Sequence, residues 1–297
     1  MIAVRFAIVL SMITAAPSLA FAQPASREAI DQFVTAFAAP THMTGKIARW
    51  ESGICPLTVG QQPEFTKFVT QRVKDVAAQA GAPVNNAASC TPNIDIVFSK
   101  IPQELLNNVR AHQPEYLGFA GNSAEMEKLA TVTRPVQAWY TTQTEDRQGM
   151  RRIDSVPPSG QGVGVAAPGG VPGPTDYLSN ATYARVSGNR ISDGVKSTFF
   201  HIVIVADINK LKGYEAGPMA DYIAMLALAQ LNSLDTCQPL PSVENMLAKG
   251  CEAMTGVLTA ADIAYLRGLY QMNPDRMALL SQKSEIADRM SQALGGK

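Results

Sequence analysis

The stretch that decides the fold runs from Phe199 to Leu231 and reads FFHIVIVADINKLKGYEAGPMADYIAMLALAQL. Its first part, through Asp207, is apolar on both alternating faces, which is typical of a strand buried on both sides. A short polar loop follows, and Pro218 begins an almost uncharged helix that ends near Asn232. This central strand and central helix predict an α/β (α+β) fold, in which a mixed sheet packs on helices and one helix is buried.

The chain begins with the features of a secretory signal peptide. Arg5 supplies the positive start, Phe6–Ala16 the apolar core and Ala20-Phe21-Ala22 a small-x-small cleavage site. Cleavage would remove residues 1–22 and leave a single α/β domain, 23–297. An uncleaved membrane anchor is the alternative, but the apolar run is short for a bilayer. We therefore expect a periplasmic or secreted protein with no integral membrane segment after cleavage.

The charge balance argues against one class of partner. Lys and Arg together number 25, as do Asp and Glu. Nucleic acid and anionic membranes favour a basic face, and the basic residues that cluster are Arg147, Arg151 and Arg152. We interpret these three as a solvated turn, so no nucleic-acid partner is expected.

Four cysteines indicate disulfides, because an exported chain matures in an oxidising compartment. They are Cys55, Cys90, Cys237 and Cys251, and three pairings can form. The simplest pairing joins neighbours in sequence, Cys55 with Cys90 and Cys237 with Cys251. Each bridge would stabilise the fold by about 3 to 4 kcal/mol in the chain-entropy model. A four-cysteine zinc site is the rival, but it would need C-x-x-C spacing, which the sequence lacks.

The N-terminal half predicts a β-α-β-like opening. The segment Lys46–Val59 is strand-like, Pro63 begins an amphipathic helix through Ala80, and Ile94–Phe98 is a strand. Ser26 caps an earlier helix that Pro40 ends.

The remaining predicted elements follow in chain order. They are helices at Pro102–His112 and Ala124–Leu129, a strand at Pro135–Thr141, a helical turn at Ser242–Leu247, a helix capped by Thr259 with Asp262, and a last helix, Pro274–Leu294, capped by Asn273-Pro274. The C-terminus is thus predicted to be helical.

A Gly/Pro-rich loop interrupts the chain at 155–174. Ser155–Pro174 reads SVPPSGQGVGVAAPGGVPGP, a composition that cannot build a core. It contains Gly162-x-Gly164-x-x-Ala167, a superficial dinucleotide fingerprint, but no apolar strand precedes it and Pro168 blocks the helix that would bind pyrophosphate. We therefore expect a surface loop and no nucleotide cofactor. Arg185–Ser192 is predicted to return as a short strand.

The order of elements from the central strand onward resembles the zincin metallopeptidases, especially the metzincin branch. In that family an edge strand lies beside a helix carrying H-E-x-x-H, and a Met-containing turn and a C-terminal helix follow. Here Asp221–Met225 stands at the motif, Pro241–Met246 resembles the turn, and Leu258–Tyr270 is similar to the closing helix. The resemblance covers about a third of the chain and implies a zincin-like mixed sheet. The whole chain also resembles a group of exported proteobacterial proteins of unknown function.

The zinc chemistry of that family is missing from this helix. A zinc peptidase needs two imidazoles at i and i+4 and a glutamate beside the first to activate water. Asp221 and Met225 occupy the imidazole positions, and Tyr222 occupies that of the glutamate. The third metzincin ligand would fall at Leu231 and the family's glycine at Leu228. We therefore expect no metal and no cofactor.

Five residues remain as a candidate cleft beside the central helix: Asp221, Tyr222, Met225, His201 and Glu244. Glu244 could imitate the glutamate ligand of another zincin branch, whereas His201 is interpreted as structural. The helix itself is interpreted as core, with small residues on one face.

Three functions stay open at this point. The first is a non-catalytic zincin-like binding protein of the cell envelope, whose partner, a peptide or envelope protein, lies along the strand edge beside the helix. The second is a periplasmic hydrolase with an unidentified catalytic site. The third is a purely structural envelope protein.

Overall fold

A mixed five-stranded sheet forms the centre of the protein. The computed structural model describes residues 25–154, 192–251 and 256–295. The strands are β1 (Pro56–Val59), β2 (Ile94–Ser99), β3 (Val136–Glu145), β4 (Arg151–Asp154) and β5 (Lys196–Asp207). Their spatial order is β1-β2-β5-β3-β4. Strands β1, β2 and β5 are parallel, whereas β3 runs antiparallel to both β5 and β4.

Helices cover both faces of this sheet. They are α1 (Arg27–Phe37), α2 (Pro63–Ala80), α3 (Pro102–His112), α4 (Ser123–Leu129), α5 (Ala216–Leu228), α6 (Ala260–Gln271) and α7 (Leu279–Ala293). Short 3-10 turns form at Pro114–Leu117 and Val243–Met246. The predicted α/β (α+β) class, with a mixed sheet, a buried helix and a helical C-terminus, is confirmed.

Two cores pack on the opposite faces of β5. Ile202 and Ile204 point into the larger core, which also contains α1, α2, α5, α6 and α7. Val203 and Val205 point into a smaller core with α3 and Trp139. The prediction that both faces of this strand are buried is therefore confirmed, because the period-2 alternation delivers apolar residues to each side.

The N-terminal β-α-β opening is also confirmed. Strands β1 and β2 pair in parallel across α2, which begins at Pro63 and ends at Gly81 with φ 83°. A side chain at that φ would be strained, so glycine suits this helix end. Both disulfides form between sequence neighbours, Cys55–Cys90 and Cys237–Cys251. Two structural disulfides fit a protein that folds outside the cytoplasm.

Helix α5 is buried on every side, and aromatic side chains satisfy its last carbonyl groups. Trp50 Nε1 donates to the Ala227 oxygen at 2.8 Å, and the Tyr270 hydroxyl donates to the Leu228 oxygen at 2.8 Å. The Tyr140 hydroxyl donates to the carbonyl oxygens of residues 226 and 229. A buried helix end needs such partners because its final carbonyl groups have none within the helix.

Three sequence-based expectations were wrong in detail. Of the strand-like segment 46–59 only β1 is a strand, whereas Arg49 and Ile54 make isolated bridges to Thr198 and Val84. Arg151 and Arg152 lie in β4 and not in a turn.

The last helix begins at Leu279, five positions after Pro274. Asn273 Oδ1 accepts from the Asp275 N–H at 3.0 Å, so the predicted cap forms a local turn instead. The signal peptide, the 155–174 loop and most of Arg185–Ser192 lie outside the described residues.

Candidate functional site: an open strand edge beside the central helix

Asp221 is tied into the core on one side of α5. Its side chain is 3% exposed and forms an ion pair with Arg72 of α2. Its second oxygen accepts from the Leu258 N–H at 3.0 Å. Both carboxylate oxygens are thus used to join α2 and the segment before α6 to α5, which is a structural role.

The structure also separates Met225 and His201 from any shared cleft. Met225 is fully buried in the larger core. His201 points to the opposite face of the sheet, where its Nε2 lies 3.0 Å from an Asp95 oxygen. The Tyr116 ring stacks on the imidazole at 4.4 Å. The five predicted site residues therefore do not form one site.

Tyr222 and Glu244 are the two predicted residues that come together. Glu244 is 1% exposed, and neither of its oxygens has hydrogen-bond geometry with a described residue. Burial raises the pKa of Glu244 well above its usual range, the charge of Asp262 adds to the rise, and the Tyr222 hydroxyl and Arg134 only partly oppose it. Burial, followed by the charge of Glu244, raises the pKa of Tyr222. Burial thus favours the protonated form of both side chains.

Asp262 is the acid that faces this pair, and it is well satisfied. Its oxygens accept from the Ser242 hydroxyl at 2.6 Å and from the N–H groups of Val243 and Thr259. The capping box that joins it to Thr259 is present as predicted. Burial raises the pKa of Asp262 in spite of these bonds. The cluster therefore fixes the 3-10 turn on α6, and Tyr222 is its member that also lines a cavity, of about 240 Å³.

An unpaired edge of β3 lies beside α5 and was not predicted. The Pro135 carbonyl oxygen accepts from the Asp207 N–H at 2.8 Å, which sets the phase of the β3–β5 ladder. In an antiparallel pair the hydrogen-bonded residues alternate along the strand. Ala138 lies opposite Ile204, and Tyr140 lies opposite Ile202. These are the pairs without hydrogen bonds, so the backbone N–H and C=O groups of Ala138 and Tyr140 point away from β5.

Strand β4 does not cover those groups. It pairs with Thr142–Glu145 alone, and a β-bulge between Thr141 and Thr142 separates the two parts of β3. No backbone group in the described part of the chain bonds the outward N–H and C=O of Ala138. The Tyr140 carbonyl is approached by the Gly118 backbone, since a Cβ on Gly118 would lie 2.5 Å from its oxygen. The open edge therefore extends from the start of β3 to Tyr140.

A cavity of about 350 Å³ lies along this edge. Ala138 and Tyr140 form one wall, and polar and apolar residues contribute about equally to the rest. The apolar part of the lining is formed by Leu117, Phe119, Leu129, Trp139, Leu231 and Leu234. A concave site of this size with both apolar and polar walls can hold a ligand.

Arg134 stands at the N-terminal end of the edge, between this cavity and a second one of about 240 Å³. Both cavities share Thr133 and Leu234 as well. The Gln137 side chain holds the turn before β3, because its Oε1 accepts from the Thr133 N–H at 2.8 Å and its Nε2 donates to the Thr131 oxygen at 3.1 Å. Arg134 Nη2 donates to a carboxylate oxygen of Asp235, which lines the second cavity.

Gln230 also lines this cavity. Its Oε1 is shielded from solvent and has no donor among the described residues. The sequence predicted a strand at Pro135–Thr141 but carried no signal for its open edge, for Arg134 or for Gln230.

The fold and the candidate site together describe an α/β protein with two disulfides and an open strand edge beside a buried helix. Comparison of the chain with protein-family models, curated proteins and solved structures finds no match. In the described ranges no helix is long and apolar enough to cross a membrane. The same ranges contain no group of three or more His, Cys, Asp or Glu side chains that could hold a metal ion.

Proposed function

We propose that this chain is a periplasmic or secreted, non-catalytic binding protein of the cell envelope, and that it binds an extended peptide segment along the open edge of β3. The observation that carries the proposal is the outward N–H and C=O of Ala138, which face a cavity and have no partner in the described part of the chain. A peptide strand added there would supply both partners.

The surroundings of this edge favour a peptide strand. Native sheets usually protect their edges with charges, proline, bulges or a covering element. Here the bulge lies beyond Tyr140, and among the described residues a cavity occupies the place of a covering element. Backbone hydrogen bonds to Ala138 would give affinity, and the apolar walls would receive alternate side chains of the peptide.

The proposal keeps a zincin-like order of elements without zinc chemistry. Asp221 and Met225, at the two imidazole positions, are used for packing and for the ion pair to Arg72. The strand that would pair with the peptide is β3 and not β5, because both edges of β5 are already paired, one with β2 and the other with β3. Metal analysis of the purified protein tests this part: stoichiometric zinc that is lost on Asp221→Ala would refute it.

Amide hydrogen exchange of the mature, disulfide-bonded chain tests peptide binding directly. A pool of N-acetylated pentapeptides of varied sequence should slow exchange at Ala138 and Tyr140. Ala138→Pro removes the outward N–H without breaking a bond to β5, since proline is tolerated where the N–H faces out of the sheet. We expect it to lose binding, whereas the control Ala138→Ser, which keeps the N–H, should bind as the native chain does. Equal binding by the proline variant would contradict the proposal.

A hydrolase is the second candidate, and the His201–Asp95 pair favours it. A carboxylate that orients an imidazole is half of a general-base arrangement. No Ser, Thr or Cys side chain in the described ranges bonds to this imidazole. Activity against a broad peptide and ester panel that disappears in His201→Gln would support this candidate over binding alone.

A further inference from the structure

We propose that the edge of β3 captures the C-terminus of its peptide, with the terminal carboxylate at Arg134 and an apolar last side chain in the adjoining cavity. This inference rests on the proposed function and names the kind of peptide. It follows from the charge at one end of the edge, the closure of the other end, and the composition of the cavity.

The first step is the position of Arg134. It directly precedes Pro135 and β3, so its side chain lies where a strand added beside Ala138 would end. Its guanidinium carries five donors, and Asp235 is its partner in the described chain, through Nη2. Arginine donors bind a carboxylate in a bidentate manner, which makes the contact both strong and directional.

The second step is that the present partner of Arg134 can be exchanged. The Arg134 side chain is 28% exposed, whereas that of Asp235 is 77% exposed. A surface ion pair of this kind is weak, because water screens both charges. A ligand carboxylate inside the cavity would be better shielded from water than Asp235 and could replace it.

The third step is the sign of the charge around the cavities. Arg134 lines the larger cavity, and none of the described lining residues of that cavity is Asp or Glu. The smaller cavity adds Lys249 together with Asp235. The lining of the two cavities is therefore positive overall, and a ligand anion is complementary to it.

The fourth step fixes the direction of the peptide. A carboxylate at Arg134 places the peptide's last residue at the start of β3, so the peptide runs antiparallel to β3. At the end of the edge where the N-terminal side of the peptide would lie, the Gly118 backbone contacts the Tyr140 carbonyl, and β4 pairs with β3 from Thr142 onward. Six residue spacings separate Arg134 from Tyr140, which is about 20 Å of extended chain. A pairing segment of only a few residues fits, as a captured chain end requires.

The fifth step is the recognition of the last residue. Its side chain would contact the apolar wall beside Arg134, where Leu234 lines both cavities. A carboxylate next to an apolar side chain describes the C-terminal residue of a peptide such as one ending in leucine.

Fluorescence anisotropy with one peptide in two forms tests the inference on the mature, disulfide-bonded chain. The probe is Ser-Thr-Val-Val-Leu with a fluorophore on its N-terminus, prepared as the free acid and as the carboxamide. We expect the carboxamide to bind at least about 10-fold more weakly, because it lacks the anion. Arg134→Gln should weaken the acid by a similar factor and leave the carboxamide unchanged.

Two variants serve as controls. Arg110→Gln removes a surface arginine whose partner is Glu127, away from both cavities, and should bind the acid as the native chain does. Asp235→Asn removes the competing carboxylate and should tighten binding of the acid several-fold. If Arg134→Gln folds poorly, the comparison of acid and carboxamide on the native chain still decides the question.

The outcomes separate this inference from the proposed function. Equal binding of both forms, with slowed exchange at Ala138, would overturn capture of the carboxylate and leave the peptide edge standing. Failure of both forms, and of the pentapeptide pool, would refute both proposals. Free leucine that competes as well as the pentapeptide would identify an amino-acid site and overturn the peptide inference.

Discussion

Glu244→Gln should change how the stability of this protein depends on pH. In the native state burial raises the pKa of Glu244 above the ordinary value of 4.5, because its charged form would lie without hydrogen-bond partners among the described residues. The native state therefore holds a proton that the unfolded chain releases. As pH rises above 4.5, the free energy of unfolding therefore falls, and it stops falling when pH reaches the native pKa of Glu244.

The size of this effect follows from proton linkage. One proton held only by the native state lowers the free energy of unfolding by about 1.4 kcal/mol per pH unit. Glutamine has nearly the shape of a protonated glutamate and does not titrate, so Glu244→Gln removes this loss. We expect the variant to be close to the native chain near pH 4.5 and increasingly more stable than it as pH rises from there to the raised native pKa of Glu244.

Urea unfolding at several pH values, followed by circular dichroism, provides the measurement. Other titrating groups are common to both proteins, so the difference between the two unfolding free energies isolates residue 244. Glu104→Gln, on the exposed side of α3, removes a carboxylate without burial and should give a flat difference. A flat difference for Glu244→Gln as well would refute the inference that the native carboxyl is neutral.

Three further predictions concern stability. Asp221→Ala should cost about 1 to 3 kcal/mol, because the Leu258 N–H loses its charged acceptor and Arg72, which is 35% exposed, loses its ion pair; peptide binding by the folded variant should persist, and lost binding without lost stability would assign Asp221 to the site. Replacing Cys237 and Cys251 together by alanine should cost about 3 kcal/mol for a closed loop of this length, and an unchanged urea midpoint would contradict that bridge. Gly118→Ala should cost about 1 to 3 kcal/mol, because φ is 88° and the new Cβ meets the Tyr140 oxygen; a thermal midpoint equal to that of the native chain would show that this loop does not hold the edge.

The elements that the sequence predicted well are those with local signals. The β-α-β opening follows from a period-2 run, an amphipathic helix and Gly81, which all act within a few residues. The capping box of Thr259 and Asp262 was confirmed for the same reason. Asn273-Pro274 has an equally good cap signal, but the helix begins at Leu279, because the Asn273 side chain bonds within a turn instead. Local signals thus predict that an element exists more reliably than where it starts.

The candidate site could be predicted only in part, because it depends on long-range pairing. The strand at Pro135–Thr141 was predicted, but its open edge depends on which residues of β3 pair with the described part of β4. No local sequence pattern in β3 predicts that pairing. Arg134 has no motif around it and becomes notable only when two cavities meet beside it. Asp221 was selected from its place in a resemblance, and the structure gives it a partner on α2 that is distant in sequence.

The pairing of β3 connects the fold to the proposed function. Strand β3 has 10 residues, and in the described part of the chain β4 pairs with it from Thr142 onward. An edge that only needed protection could carry an outward charge at Ala138. Instead a cavity lies there, with Arg134 at one end and the Gly118 loop at the other. Under the proposed function each of these features limits which strand can pair with β3, and the edge would favour a short chain end over a second sheet.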